Sequence, residues 1–196
     1  AGTRSMTKGR LIAVVGPSCV GKDSVMVGIK DACPDIRLVR RTITRAPGLG
    51  GEDYIAVSLD EFERLAETDA FSLWWSAHGM RYGIPKDVQA DVAAGRTCIV
   101  NFSRSALLGA QKVFKRMTTL NITAKPETLC QRLSNRGRES AVEIAKRLNQ
   151  ADKTLPCGLD VINISNDGPL DETVKCAVAA LQPDKAEPPD TFKPCT

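Results

Sequence analysis

Apolar and polar positions follow two alternating rhythms along this chain. Compact apolar or β-branched runs at 11–15, 36–40, 97–102, 118–123 and 161–164 read as buried strands. Amphipathic stretches with helix-start signals separate them. Ser58-Leu59-Asp60-Glu61 is a capping box that opens a helix to about Glu67. Pro85, Pro126 and Pro169 each stand where a first helical turn tolerates proline. Strand and helix in alternation predict an α/β fold with a mainly parallel five-stranded sheet flanked by helices. A patch of β-branched and aromatic residues at 54–57 and 72–82 interrupts the alternation. It predicts a small antiparallel lobe inserted at about 46–84, which splits one domain (10–182) into core segments 10–45 and 85–182. The polar stretch 134–140 carries Gly137 and is surrounded by Arg132, Arg136, Arg138 and Arg147, predicting a mobile helical lid over about 132–147. The proline- and charge-rich stretch 183–196 predicts a disordered tail.

The 196-residue length suits one domain with a proper core. A composition of 42% hydrophobic and 26% charged residues fits a soluble globular protein, and no apolar run reaches the ~20 residues a membrane helix needs. Residues 1–10 lack the apolar centre of a secretory signal, and the seven cysteines form no Cys-x-x-Cys pair, so a reducing cytoplasm is expected. A net charge of +4 suits anionic metabolites. Nucleic acid is disfavoured, because aromatics make up only 5% of the chain and no basic run exceeds Arg40-Arg41. The arginines sit in separate short motifs, a pattern of discrete phosphate sites.

The sharpest chemical signal is Gly16-Pro17-Ser18-Cys19-Val20-Gly21-Lys22-Asp23-Ser24, between the first strand and a helical pattern. A glycine-containing loop in that context turns successive N–H groups onto phosphate oxygens and adds a helix N-terminus to the same spot. This predicts a P-loop that binds ATP, with Lys22 reaching the β- and γ-phosphates. Such motifs normally follow the lysine with Ser or Thr as a Mg²⁺ ligand. Here Asp23 holds that place, and it is the candidate Mg²⁺ ligand, directly or through a water. Cys19 is expected simply to fill space.

A P-loop alone leaves motors, switches, transporters and kinases open. The short chain and the arginine-bearing lid favour a small-molecule kinase, which must hold two anions together. Arg41-Thr42-Ile43-Thr44-Arg45 supplies two guanidiniums that can face one way from an extended strand and take a phosphate.

Further motifs complete a pattern: Thr44-Arg45-Ala46-Pro47, Tyr54, Gly79-x-x-Tyr82-Gly83, the Arg-Gly lid and Asn166-Asp167. Over about residues 10–182 the chain resembles the guanylate kinases. It departs from them where guanine is read. Leu73 stands in place of the lobe glutamate, Ser103 in place of the strand aspartate, Gly48 in place of an arginine and Ile84 in place of a hydroxyl residue. Unpaired guanine N–H groups would cost about 1–3 kcal/mol each, so GMP is a poor fit.

Gly21–Ser24, Arg41–Arg45, Gly51-Glu52 with Ile55–Ser58, Trp75–Gly79, Asn101–Arg104 and Asn135–Glu139 are instead similar to the ribose 1,5-bisphosphate phosphokinases of bacterial phosphonate breakdown. That resemblance implies phosphoryl transfer from ATP, with Mg²⁺, to the 1-phosphate of a sugar bisphosphate, yielding 5-phosphoribosyl 1-diphosphate (PRPP). It implies catalytic roles for Lys22, Arg45, Arg136 and Arg147, and substrate contacts from Arg41, Arg45, Tyr54, Tyr82 and Arg104. Asn166 and Asp167 are expected beside the adenine. His78, the only histidine, is a candidate substrate contact or a structural residue, and Glu52 a ribose-hydroxyl ligand or an exposed loop carboxylate. Of the adjacent Trp74 and Trp75, at least one is expected in the core. Two other readings stay open: a guanylate or other nucleoside monophosphate kinase, and an inactive guanylate-kinase-like interaction module. The intact Lys22 and the lid arginines speak against the latter.

Overall fold

In the computed structural model the described residues are 9–48, 51–137, 140–151 and 154–181. The expected tail at 183–196 and Arg138 of the expected lid lie outside them. The chain runs β1 (Leu11–Val15), α1 (Lys22–Ala32), β2 (Arg37–Leu38), β3 (Thr42–Ile43), β4 (Ile55–Ala56), α2 (Leu59–Glu67), β5 (Phe71–Ala77) and β6 (Met80–Pro85). It continues through α3 (Asp87–Ala93), β7 (Cys98–Asn101), a 3-10 turn at Arg104–Ala106, α4 (Leu107–Val113), β8 (Met117–Thr123), α5 (Pro126–Arg136), α6 (Ala141–Ala151), β9 (Val161–Ser165) and α7 (Leu170–Leu181).

The main sheet is five-stranded and parallel throughout, in the order β2-β7-β1-β8-β9. β1 lies at its centre and every residue in it is buried. Leu11, Ala13 and Val15 pack with Val100, Phe102 and Leu107 on one face; Ile12 and Val14 pack with Val25, Met26, Ile29 and Leu120 on the other. Both faces are covered, which is why β1 reads as an unbroken apolar run. The strand expected at 36–40 shortens to Arg37–Leu38. The chain then turns out of the main sheet, because Arg41 O already accepts from Ile55 N in the second sheet.

That second sheet has the order β4-β3-β6-β5. β6 pairs antiparallel with β3 and β5, but β3 pairs parallel with β4, so the lobe is mixed rather than antiparallel. β3 belongs to it, so the second sheet takes in residues from Thr42 onward. Trp75 stands directly across from Tyr82, and Trp74 from Gly83. A β-carbon on Gly83 would lie 2.5 Å from the ring of Phe71. Phe71 in turn stacks on Phe62 of α2 with ring centroids 4.7 Å apart, which fastens the helix to the sheet. Ser58 caps α2 as expected, accepting from Glu61 N at 3.1 Å. Pro85 differs from its expected place: it is the last residue of β6, not the first of a helix, and α3 begins at Asp87. A strand end tolerates proline because the missing N–H has no ladder partner there. Pro126 does open α5. Among the described residues no helix is long and apolar enough to cross a membrane.

Replacing Gly83 by Ala is expected to lower stability by about 1–3 kcal/mol through the clash with Phe71. Calorimetric melting of the variant checks this, and an unchanged Tm would contradict it.

Candidate functional site

The end of β1 delivers the chain into the phosphate loop. Gly21 has φ 93°, and a β-carbon there would lie 2.7 Å from Asn166 Nδ2, so both conformation and space demand glycine. Cys19 also holds a left-handed φ of 63°, a local strain that goes with the tight winding of the loop. Gly21 caps α1 without a side-chain acceptor, leaving the first helical N–H groups for a ligand. Lys22 Nζ lies across the loop, donating to Gly16 O at 3.0 Å and Pro17 O at 3.1 Å. Burial lowers its pKa to about 8, with Arg41 and Arg104 pushing the same way and Asp23 and Glu52 opposing.

The back of the loop is latched. Asn166, itself buried, donates from Nδ2 to Val20 O at 2.8 Å and accepts from Thr173 Oγ1 at 2.8 Å. Arg132 donates to Val20 O at 3.2 Å and to Asn166 O at 2.8 Å. Asp167 accepts from Lys125 N, Thr128 Oγ1 and Ser165 Oγ, each at 2.8 Å. Its carboxyl is held below the usual range, first by the Lys125 N–H. Asp167 thus ties the end of β9 to Lys125 and Thr128 at the start of α5. The side chains expected beside adenine are therefore engaged in holding the loop and the start of α5.

On the opposite side, Arg41 is almost wholly buried, 4% exposed, and pairs with Glu52 in a fork. Nε donates to Oε1 at 2.7 Å and NH2 to Oε2 at 2.5 Å. Its guanidinium lies 4.8 Å from the ring centre of Tyr82 and 5.9 Å from that of Trp75. Trp75 stacks between Tyr82 (5.5 Å) and Phe102 (5.1 Å), each at 12°, and its Nε1 donates to Ser103 Oγ at 2.9 Å. Arg45 lies over Tyr54 at 5.2 Å and lines a cavity of about 640 Å³ with Thr44, Ala46, Pro47, Ser58 and Gly79. Tyr54 donates its hydroxyl to Ala46 O at 2.5 Å. The arginines at the two ends of β3 are thus each seated on a tyrosine.

The family profile of the guanylate kinases matches residues 8–182. The chain belongs to the guanylate kinase family. A ribose 1,5-bisphosphate phosphokinase PhnN of Ruegeria sp. (strain TM1040) is 49% identical over 183 residues, spanning 93% of this chain and 96% of that protein. One from Rhizobium etli (strain CIAT 652) is 38% identical over 177 residues, spanning 89% and 90%. Among solved structures, a guanylate kinase from Anaplasma phagocytophilum superposes with a TM-score of 0.64 at 20% identity, covering 90% of this chain and 87% of that one. This supports the fold. At the guanine-reading positions of guanylate kinases this chain turns inward: Ser103 is taken by the Trp75 indole, Ile84 is fully buried, and Leu73 packs against the core.

Asp23 faces the junction of the two sides. Asn101 Nδ2 donates to its Oδ1 at 3.4 Å, and a β-carbon on Gly51 would lie 3.8 Å from its Oδ2. Burial, then the charge of Glu52, raises the Asp23 pKa, while Lys22 and Arg41 lower it. A carboxylate held unfavourably beside a phosphate loop fits a divalent cation, which would relieve it. Among the described residues no group of three or more His, Cys, Asp or Glu is placed to hold a metal ion.

Of the other expected residues, His78 stands apart. His78 sits at the exposed tip of the β5–β6 hairpin with φ 52°, followed by Gly79 at 72°, a turn suited to two left-handed residues. It does not line the cavity beneath Gly79. Arg104 opens the 3-10 turn after β7, close enough to Lys22 to lower its pKa. Arg136 ends α5 and Arg147 lies within α6, and their side chains lie outside the described ones. The pairing of Glu52 with Arg41 and that of Trp75 with Ser103 were missed in the sequence. Alternation at Trp74-Trp75 signalled one inward indole, but nothing signalled its partner.

Lys22 should titrate near pH 8 in the nucleotide-free protein, against an ordinary 10.5. The unfolded chain then holds more protons between those values, so this group makes stability rise with pH across that window. Added ATP should move the midpoint upward, since its phosphates favour the ammonium. An NMR titration of the Lys22 side chain checks both, and a midpoint of 10.5 without nucleotide would contradict the burial argument.

Proposed function

We propose that this protein transfers the γ-phosphoryl group of ATP to the 1-phosphate of ribose 1,5-bisphosphate, giving 5-phosphoribosyl 1-diphosphate and ADP. The observation that carries this reading is the Trp75 indole bonded to Ser103 and stacked between Tyr82 and Phe102. It occupies with protein the polar group a guanine reader would use, while the arginines that take phosphate remain. The similarity to the ribose 1,5-bisphosphate phosphokinases of Ruegeria and Rhizobium supports the same choice.

The chemistry asks for positioning and charge, not for a strong base. An oxygen of the 1-phosphate, already anionic, attacks the γ-phosphorus; the bond from that phosphorus to the β–γ bridging oxygen breaks, and ADP leaves with the electron pair. The P-loop, residues 16–24, wraps the triphosphate, and Lys22 leaves Gly16 O and Pro17 O for the β- and γ-phosphates. Arg45 and Tyr82 hold the accepting phosphate with Arg41, and Arg104 adds charge between the two reactants. Tyr54 keeps Arg45 in place through its ring. Arg136 and Arg147, on the helices flanking the lid loop, close on the triphosphate as in other guanylate kinases. Mg²⁺ held by Asp23 would offset charge on the triphosphate. ATP as donor fits a cytoplasmic enzyme.

With ATP and Mg²⁺, a coupled ADP-release assay should show turnover of ribose 1,5-bisphosphate and none of GMP, with the diphosphate product seen by phosphorus NMR. Turnover of GMP alone would overturn the reading, and activity on neither would favour a binding module. Replacing Asp23 by Ala should raise the Mg²⁺ concentration for half-maximal rate about tenfold. An unchanged Mg²⁺ dependence would remove Asp23 from the metal site.

A further inference from the structure

A buried arginine–carboxylate pair is a weak source of stability, because desolvating both groups offsets their attraction. The Arg41–Glu52 pair stands at the seam between the second sheet and the phosphate loop. Arg41 adds to the lowering of the Lys22 pKa, and Glu52 to the raising of that of Asp23. Gly51, the residue before Glu52, packs close to the Asp23 carboxylate. Glu52 itself is 12% exposed in its side chain. It takes Arg41 through Nε and NH2, which leaves NH1 without a hydrogen-bond partner among the described residues. A guanidinium carries five donors, so a fixed edge of N–H groups remains available. The rings of Tyr82 and Trp75 set the tilt of its plane.

From this geometry we propose that Glu52 is the positioning residue for acceptor choice. It locks the Arg41 fork so that its free edge receives a phosphate of a bis-phosphorylated sugar, at the seam beside the phosphate loop. Glu52 touches no substrate and acts through Arg41. The proposal rests on the phosphoryl-transfer reading above.

The test uses the full chain in a Trp74→Phe background, where Trp75 alone reports through its emission. Titration with ribose 1,5-bisphosphate without ATP gives Kd, and steady-state assays give KM and kcat. Glu52→Gln should raise Kd and KM for the sugar bisphosphate about tenfold, with KM for ATP and kcat within about twofold. Glu52→Asp should recover part of the loss. Adding Glu52→Gln to Arg41→Ala should change nothing further, since the two act as a unit. Arg41→Lys keeps the charge but loses the fork, and should weaken binding equally if the glutamine variant does not fold. An unchanged Kd, an equal rise in KM for ATP, or additive losses in the double variant would overturn the proposal. If the unaltered protein binds the sugar bisphosphate without turnover, the phosphoryl-transfer reading fails while the Kd comparison still decides this one. If it does not bind, both fall.

Discussion

For the proposed reaction, repulsion between two anionic reactants is the constraint around which this structure is arranged. Bringing a triphosphate against a sugar phosphate requires cations already fixed in a water-poor cleft, and such cations are themselves costly to bury. The protein meets the difficulty by giving each of them an internal partner. Lys22 rests on the carbonyls of Gly16 and Pro17, Arg41 on Glu52 and the Tyr82 ring, Arg45 on Tyr54. Even so the strain is visible, for the Lys22 ammonium is pushed down to about 8 and the Asp23 carboxyl pushed up. Both shifts have burial as their largest cause, and both would relax as phosphate and a divalent cation enter.

The two sheets divide this work. The parallel sheet is the rigid half: β1 is buried on both faces, and the loop it carries is latched behind by Asn166, Thr173 and Arg132. The mixed sheet carries Arg41 and Arg45, the groups proposed to hold the acceptor, just outside the ends of β3. The connection between them is the bend after β2, where a strand long enough in sequence to continue is cut short. That bend turns Arg41 away from the main sheet and buries it beside the aromatic stack.

Much of the main architecture was legible because it depends on local patterns. The apolar run 11–15, the glycines and Lys22 of the loop, the capping box at Ser58 and the proline at Pro126 all act over a few residues, and all form the elements they signal. What sequence reading missed depends on long-range pairing. Glu52 reads as an exposed loop carboxylate until the fold brings Arg41 to it, and Ser103 gives no sign that an indole 28 residues away will bond to it. Asn166 and Asp167 carry a family motif whose position is clear. That their side chains hold Val20 and the start of α5 follows only from β9 ending beside β8. The parallel pairing of β3 with β4 was hidden for the same reason: strands of two residues carry almost no periodic signal.

On the proposed reading, the indole that takes Ser103 within an aromatic stack changes what specificity can mean here. A nucleobase is selected by hydrogen bonds along a flat edge, and a site that lacks the complementary acceptors leaves donors unpaired. A sugar bisphosphate offers no such edge, only charge at defined separations. Selecting it requires guanidiniums held in one orientation, not free to swing toward any anion. Stacking Arg41 on Tyr82 fixes its plane, and the fork to Glu52 fixes its rotation within that plane. The same pair leaves a net charge near zero before substrate arrives, so a lone small anion gains little from entering. Affinity then comes from geometry at two phosphates at once, which a rigid arginine can supply and a mobile one cannot.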